Sequence, residues 1–273
     1  MNSTSQKTVA FITPRYVEAS AGGAEVACRF FAEKLTLIKG IPAEILTTCA
    51  EDHYSWKNFH QPGEFKKNDV TVRRFPADDR KNPDMYGAAA VKLEAKKKLS
   101  LEEEDFIFNN NINSQALYEF IRRHQKDYAF FIFTPYLFGT TVNGTKICPE
   151  KTLIRPCFHN EPYARTLRVK EMFRRVRGIL CNSPPERDLV LKMTGISPEK
   201  TFLVGEAVET ACLPSEEDIL SRFSIRSPYL FYCGRREPGK NFPLLLEMFR
   251  EYKKQNRNPL QLVTAGSRYV EIL

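Results

Sequence analysis

Residues 8–49 read TVAFITPRYVEASAGGAEVACRFFAEKLTLIKGIPAEILTTC, two apolar runs separated by a loop and an amphipathic segment. The first run, residues 9–12, is closed by Pro14 and is typical of a buried strand. The segment after the loop carries apolar residues at helical spacing and ends at Gly40. Residues 43–49 form the second run. A strand, a helix and a strand in this order predict a β-α-β unit with parallel strands.

The same alternation continues to about residue 209. Further strands are predicted at 70–75, 128–133, 152–154, 178–181 and 201–204, with helices at 114–124, 165–177 and 185–193. Repeats of a strand and a helix, about 30 residues each, indicate an α/β fold with a parallel sheet covered by helices on both faces.

Residues 213–228 interrupt this alternation, because they are polar and punctuated by prolines. They predict a linker with one helical turn. The pattern then restarts with a strand at 229–233, a helix at 242–255 and a strand at 260–264. We therefore expect a complete Rossmann-like domain over 1–212, a linker over 213–228, and the first strand–helix–strand of a second domain over 229–273. One such unit cannot cover both faces of a sheet, so we expect this second domain to be truncated.

The composition is that of a soluble globular protein, with 273 residues, 42% of them apolar and 27% charged. No stretch approaches the roughly 18 apolar residues of a membrane span, and the first residues lack the apolar core of a secretion signal. The seven cysteines are scattered and lie mostly inside apolar runs, as reduced, buried thiols do. We therefore expect a cytoplasmic protein.

Basic residues outnumber acidic ones by 41 to 33, a net charge of +8. The densest basic groups are Lys96-Lys97-Lys98 and the segment from Arg165 to Arg177. As a helix, that segment is amphipathic. It predicts either the solvated face of a packed helix or peripheral contact with an anionic membrane, at its inner face. No nucleic-acid-binding motif accompanies the charge, so we expect no nucleic-acid partner.

The sequence offers no recognisable metal site. The four histidines occur without a His-Glu-x-x-His motif or Cys/His spacing, and no Asp-x-Asp element is present to hold a metal–diphosphate. We therefore expect neither a metal nor a cofactor.

Two glycines, Gly22 and Gly23, precede the first predicted helix. Glycine lets the backbone approach a ligand closely, and the free N–H groups of a helix start favour an anion. The sequence Gly22-Gly23-Ala24-Glu25 therefore predicts either an anion-binding loop or a plain tight turn.

A second glycine-rich loop, from Gly234 to Asn241, follows a predicted strand and opens a helix. Arg235 leaves the strand and Lys240 begins the next helix, at the end of a strand where doubly wound sheets bind ligands. Arginine supplies a fork of donors and lysine a point charge, so the two predict a diphosphate site. The alternative is a solvated basic turn. Asn241 is expected to cap the helix in either case.

His159 follows the strand at 152–154 and precedes the basic helix. It therefore lies in another loop at the carboxyl end of a strand, where it is either a site residue or a structural histidine.

These elements, in this order and with Cys181-Asn182-Ser183 at a strand end, resemble the retaining nucleotide-sugar glycosyltransferases of family 4, which have the GT-B architecture of two facing Rossmann-like domains. The resemblance implies that Arg235 and Lys240 hold the diphosphate of a nucleotide sugar. It implies that Gly22 and Gly23 face donor and acceptor, and that His159 contacts the transferred sugar as a catalytic residue. The acceptor would be a sugar, a lipid-linked or a small-molecule hydroxyl, and fixed cations would replace a metal.

The sequence departs from the family in two places. The family usually ends its first domain with a turn like Pro-Asn-Gly-Val-Asp, whereas the corresponding stretch here, Gly205-Glu206-Ala207-Val208-Glu209, lacks the glycine of that turn. The family's Glu-x7-Glu element is expected beyond Lys240, past residue 273. The resemblance therefore implies weak or no turnover for the 273-residue chain.

Two other functions stay open: a non-catalytic binding module or degenerate glycosyltransferase, and a nucleotide-sugar epimerase. The epimerase is less favoured, because no set of acidic residues suggests proton abstraction.

Acceptor specificity would come from two predicted loops, residues 51–69 and 78–90. Their aromatic residues either stack on sugar rings or pack the loops: Tyr54, Trp56, Phe59 and Tyr86.

Overall fold

Successive side chains of the first strand enter different buried clusters, because a strand presents alternate residues to opposite faces of a sheet. The computed structural model describes residues 7–17, 22–52, 55–81, 83–206 and 215–266. Phe11 belongs to a cluster with Cys28 of the first helix, whereas Ile12 belongs to a cluster with Leu117 of a later helix. Helices therefore cover both faces, as the sequence predicts.

The described strands are β1 Thr8–Ile12, β2 Ala43–Thr48, β3 Gly63–Lys67, β4 Val70–Phe75, β5 Tyr128–Phe133, β6 Thr152–Ile154, β7 Gly178–Cys181, β8 Thr201–Leu203, β9 Tyr229–Cys233 and β10 Gln261–Ala265. The described α-helices are α1 Gly23–Lys39, α2 Pro83–Glu94, α3 Leu101–Asn109, α4 Gln115–His124, α5 Gly139–Gly144, α6 Leu167–Arg175, α7 Pro184–Thr194, α8 Glu216–Arg222 and α9 Phe242–Gln255. Short 3-10 helices precede β6, α6, β8 and α9.

The first eight strands form one sheet in the order β3-β4-β2-β1-β5-β6-β7-β8. Neighbouring strands are parallel except β3, which runs antiparallel to β4 at the edge. The predicted α/β class, with a largely parallel sheet between helices, is confirmed. The order also shows the reversal on either side of β1 that characterises a doubly wound sheet.

Local sequence explains where helices begin and end. Gly40 ends α1 in the left-handed region (φ 64°) and donates its N–H to the Thr36 carbonyl, as predicted for a glycine after a helix. Side chains of Ser100, Ser114 and Ser183 accept N–H groups at the starts of α3, α4 and α7.

Four elements were not predicted: β3, α2, α3 and α5. The β3 residues GEFKK contain one apolar side chain and so have no apolar alternation. Helix α2 begins inside residues 78–90, which were expected to form a loop. A capping box of Ser100 and Glu103 starts α3.

The chain divides into two compact units, Met1–Ala207 and Val208–Leu273. In the second unit, β9 and β10 form a parallel pair, with Leu230 opposite Leu262. Helix α9 connects these strands. Helix α8 lies within the predicted linker and is longer than the single turn expected there. Residues 207–214, around the predicted domain end, lie outside the described residues.

Candidate functional site

The loops that follow β1, β5, β6, β7 and β8 lie side by side, because these strands are parallel neighbours in that order. We call the edge at which they end the carboxyl edge. Ligands of open α/β sheets bind at this edge, next to the point where the strand order reverses. Gly22, Gly23 and His159 belong to this region of the first unit.

The start of α1 is held by a carboxylate from its own first turn. Glu25 Oε2 accepts the Gly22 N–H at 2.6 Å. Arg15 donates its Nε to Glu25 and its Nη1 to the Glu51 carbonyl at 2.7 Å. The first donor of the helix is therefore already satisfied within the chain.

The backbone conformation does not require glycine at either position, because neither residue has a positive φ. Gly22 has φ −75°, and an added Cβ would meet only Glu25, at 3.6 Å. At Gly23 an added Cβ would meet no described atom within 4 Å. The described residues therefore do not crowd the start of α1, and residues 18–21 of the preceding loop lie outside them.

Sequence reasoning missed Arg155, which follows β6 at the carboxyl edge. Its residue exposure is only 2%. Nη2 donates to Glu206, and the guanidinium lies 4.9 Å from the centre of the Phe31 ring. Nε and Nη1 are buried and have no hydrogen-bond partner within the described ranges. A buried cation with unused donors is costly, so Arg155 is a residue that a bound ligand or water would satisfy.

Two thiols near this edge, the half-buried Cys157 and the buried Cys28, are poor nucleophiles. Cys157 Sγ lies 4.0 Å from Thr134 Oγ1 and 3.8 Å from Asn182 Nδ2. Burial raises the pKa of Cys157, and it raises the pKa of Cys28 to about 12 even though Arg155 opposes the shift. Because the thiolate is the reactive form, these neutral thiols do not support cysteine chemistry.

Glu186 joins two loops of the carboxyl edge. Its residue exposure is 8%. One carboxylate oxygen accepts the Phe158 N–H at 2.5 Å, and the other accepts the Asn182 N–H. Glu186 lies in the first turn of α7, which Ser183 caps. The loop that carries His159 is therefore tied to the end of β7 by a buried carboxylate.

His159 lies next to Phe158 and is exposed. Its carbonyl accepts the Glu161 N–H at 2.9 Å, whereas its imidazole makes no hydrogen bond within the part of the chain that the structure describes. The side chain is therefore not buried in the core, and the role of His159 at a site stays a prediction.

The loop from Gly234 to Asn241 lies at the carboxyl end of β9, in the second unit. Arg235 Nη2 contacts Glu237 Oε1 at 3.0 Å, and the Arg235 carbonyl accepts the Tyr232 hydroxyl at 2.8 Å. Lys240 is exposed at the end of a 3-10 helix, Pro238–Lys240, which precedes α9. The two predicted phosphate-binding cations thus belong to one loop.

Asn241 occupies the N-cap position of α9, as the sequence predicts, but it caps the helix with its backbone. Asn241 adopts the left-handed region (φ 54°) and its side chain makes no capping bond. Its carbonyl instead accepts the Leu245 N–H at 3.0 Å. The reason is the 3-10 turn before α9, which leaves Asn241 in a conformation that asparagine tolerates better than most residues.

The basic helix α6 buries Met172, Phe173 and Val169, and Arg168 contacts Asp105 and Glu171. Arg174 and Arg175 are exposed. Part of the basic face is therefore neutralised by acids, and no helix among the described residues is long and apolar enough to span a membrane.

A polar cleft of about 1000 Å³ lies between the loop after β4 and helices α4 and α5. Asn113 and Asn143 in its wall are hydrogen-bonded to each other at 3.0 Å. Exposed Asp79, Lys81 and Arg122 also line it. The predicted acceptor loop 78–90 therefore borders a cleft.

The aromatic residues of the predicted acceptor loops differ in role. Trp56 is buried, with its ring centre 5.1 Å from that of Phe138, whereas Phe59 is 71% exposed. Tyr86 lies under the Arg80 guanidinium at 5.6 Å, and Tyr54 lies outside the described residues. Of the three aromatic residues that the structure describes here, Phe59 alone has the exposure of a stacking platform.

The described residues contain no group of three or more histidine, cysteine, aspartate or glutamate side chains placed to hold a metal ion.

Comparisons with known proteins add a likeness of fold. No family model matches the chain, and no curated protein matches it in sequence.

The fold is similar to that of Anabaena HepE in complex with UDP and glucose, with a TM-score of 0.59, 11% identity, and coverage of 94% of this chain and 60% of that chain. A Rickettsia africae glycosyltransferase matches with a TM-score of 0.54 and 13% identity, over 96% and 69% of the two chains. Burkholderia multivorans α,α-trehalose 6-phosphate synthase matches with a TM-score of 0.55 and 10% identity, over 97% of this chain and 64% of that chain.

The chain thus spans less than two thirds of the length of the HepE chain. At these identities the likeness concerns the fold. The chain has the Rossmann-like α/β arrangement found in these GT-B structures.

Proposed function

We propose that this chain belongs to a retaining glycosyltransferase that moves a sugar from a nucleoside-diphosphate donor to a hydroxyl acceptor. The observation that carries the proposal is the likeness of fold, over 94% of the chain, to a structure in complex with UDP and glucose. The donor class is therefore a nucleotide sugar, and the acceptor is a sugar, a lipid-linked or a small-molecule hydroxyl.

Arg235 and Lys240 are the proposed diphosphate ligands. Both are on the loop after β9, where their charges can offset those of the leaving nucleoside diphosphate without a metal. Glu237 beside Arg235 would give up that guanidinium to the phosphate, whose oxygens accept its planar fork of donors.

His159 is the proposed catalytic contact with the transferred sugar. Its exposed imidazole, on a loop tied down by Glu186, can accept a hydrogen bond from a sugar hydroxyl and so place a lone pair near the ring as positive charge develops there. The bond from the anomeric carbon to the diphosphate oxygen would break while the acceptor hydroxyl attacks from the face that the nucleotide leaves and passes its proton to that departing oxygen, which retains the anomeric configuration. Gly22 and Gly23 would leave room for donor and acceptor beside α1.

An epimerase is less favoured, because its reaction needs a free base. The acidic side chains described at the carboxyl edge are engaged: Glu25 with Arg15, Glu186 with two backbone N–H groups, and Glu206 with Arg155. A non-catalytic binding module remains the main alternative, and it predicts donor binding without sugar transfer or donor hydrolysis.

Titration calorimetry of the 273-residue chain with UDP and UDP-glucose tests the donor assignment. We expect Arg235→Ala and Lys240→Ala each to raise the Kd by about tenfold or more, because each removes a charge-assisted contact. Arg257→Ala and Lys254→Ala, on exposed residues of the same unit, are matched controls. Equal affinities in all four variants would remove the diphosphate assignment.

Donor hydrolysis and transfer assays test His159 in a version of the chain lengthened by a complete second Rossmann-like domain, since the resemblance implies weak or no turnover for the 273 residues alone. We expect His159→Ala to lower turnover by about ten- to a hundredfold, within the range for one transition-state contact, while the Kd for UDP stays unchanged. Its melting temperature should also stay unchanged, because the side chain is exposed. His124→Ala serves as the control. A large loss of stability in His159→Ala would instead identify a structural residue.

We also propose a cytoplasmic location, since the described cysteines are free and mostly buried. Peripheral contact of the segment from Arg165 to Arg177 with an anionic membrane belongs to the same proposal. Support comes from the exposed Arg174 and Arg175, and loss of vesicle binding on replacing both with glutamine is the expected result.

A further inference from the structure

The two densest basic groups of the sequence meet at one small cavity of the first unit. Lys96, Lys97 and Lys98 follow α2, and Arg165 precedes α6, yet all four line a cavity of about 210 Å³. Leu93, Leu99 and Pro162 add apolar wall. We propose that Lys96, Lys97, Lys98 and Arg165 form a binding site for the phosphate group of a phosphate ester.

Acidic side chains do not neutralise this cavity. Glu104 is the one acidic residue in its wall, and its two carboxylate oxygens accept the N–H groups of Leu167 and Arg168 at 3.0 and 2.9 Å. The nearby Glu103 contacts Lys92 at 2.6 Å. Within the described ranges the three lysines have no ion-pair partner, so their charges are available to a ligand.

The backbone holds the lysines in a defined place. Lys96 donates its N–H to the Leu93 carbonyl at 2.8 Å, and Lys97 donates to the Lys92 carbonyl at 3.1 Å. These bonds form the Schellman motif that ends α2. Lys96 takes its left-handed position with φ 58°, where glycine is usual and lysine is strained. A lysine at this strained position puts a charge at the cavity that glycine would lack.

Arg165 completes the site from the other side. Its Nη2 donates to Asn160 Oδ1 at 2.6 Å, and its remaining guanidinium N–H groups make no hydrogen bond to the described residues. Arginine recognises phosphate oxygens through its planar fork and lysine through its charge. Cavities for drug-sized ligands measure about 300–1,000 Å³, so a volume of about 210 Å³ favours a small phosphate ester over a nucleotide sugar.

A purely structural role would also account for part of this pattern, because cations after a helix stabilise its negative carboxyl end. That role predicts that replacing the lysines lowers stability without changing phosphate affinity. The two explanations therefore differ in a binding constant and can be separated.

The test is titration calorimetry of the full chain with glycerol 3-phosphate and with inorganic phosphate. We expect the triple variant Lys96→Gln/Lys97→Gln/Lys98→Gln to raise the Kd at least about tenfold, the equivalent of 1.4 kcal/mol. The control Lys39→Gln/Lys57→Gln/Lys126→Gln changes the net charge equally on exposed lysines elsewhere, and should leave the Kd within about twofold. Arg165→Gln, a single change at an exposed residue, checks the result should the triple variant fail to fold.

A second arm identifies the source of the phosphate. Vesicles of phosphatidylcholine, with or without an equal part of phosphatidylglycerol, are tested by flotation. Binding of the soluble ester that the lysine variant loses indicates a soluble phosphate compound. Binding only of the anionic vesicles, lost in the lysine variant and kept in the control, indicates a lipid headgroup. Either result supports the site. Equal loss in both triple variants, or saturable binding of none of these probes, would overturn it.

Discussion

His60 shows how a tertiary contact changes the chemistry of one residue. Its side chain is 22% exposed and its Nε2 lies 3.8 Å from Glu51 Oε2. Partial burial lowers the pKa of His60 from its ordinary value, nearby Arg74 lowers it further, and Glu51 opposes both. The sequence around His60 gives no sign of this, because Arg74 lies on β4 and His60 in the loop before β3.

This lowered pKa predicts a pH-dependent stability. The unfolded chain protonates His60 near pH 6.5, whereas the folded chain does so only at lower pH. The stability is therefore fully present above about pH 6.5 and is lost as the pH falls through the folded pKa. We expect His60→Gln to show a smaller loss of unfolding free energy between about pH 7.5 and 5.5, measured by urea denaturation. His124→Gln is the control, and an unchanged pH slope in His60→Gln would contradict the prediction.

Among the proposed site residues, the positions of Gly22, Gly23, Arg235 and Lys240 beside strand ends could be predicted, because glycines and paired cations are visible in the sequence. Arg155 could not. Arginine at the end of an apolar run is ordinary in a sequence, and only the buried contacts with Phe31 and Glu206 distinguish it.

At the scale of elements, the first turn of α7 connects the loop after β6 to the end of β7 through Glu186. Glu186 accepts the N–H groups of Phe158, in the loop after β6, and of Asn182, at the end of the neighbouring β7. A glutamine can accept only one of these bonds well, because its second terminal group is itself a donor.

We therefore expect Glu186→Gln to lower the free energy of unfolding by about 1–3 kcal/mol, the cost of a buried polar group left without its partner. Asp188→Asn, an exposed change on the same helix, should stay within about 0.5 kcal/mol. Urea denaturation of both variants measures the difference. Equal stability of the two variants would show that Glu186 does not hold the loops.

Two of the helices that sequence reasoning missed, α2 and α3, share a physical cause. Residues 83–94 of α2 and 101–109 of α3 have short or mixed apolar faces, and they are stabilised by packing on each other and on the segment before α6. Periodicity reports burial against the sheet more clearly than burial between surface helices.

For the whole molecule, the buried apolar side chains among the described residues are concentrated in the first unit. The buried clusters found in the described residues all lie between Val9 and Ile196. In the second unit Phe242 is the one buried apolar side chain among those described, while Phe231 and Met248 are exposed. A sheet of two strands rarely folds alone.

We therefore expect a fragment of residues 1–207 to unfold in one cooperative transition with nearly the midpoint of the full chain, followed by far-ultraviolet circular dichroism in urea. A fragment of residues 208–273 should show no cooperative transition. Loss of cooperativity in the larger fragment would mean that its core depends on the second unit.

The sequence by itself determined the α/β class, the order of most strands and helices along the chain, and the loops at which chemistry is expected, because alternation, glycine and charge are local properties of a chain. Only the tertiary structure decided which distant residues meet. The cluster at Lys96 with Arg165, the bonds of Glu186 and the burial of Arg155 join residues tens of positions apart. The strand order β3-β4-β2-β1-β5-β6-β7-β8 brings these residues together. That order depends on how helices pack on the two faces of the sheet, which no local preference of the chain specifies.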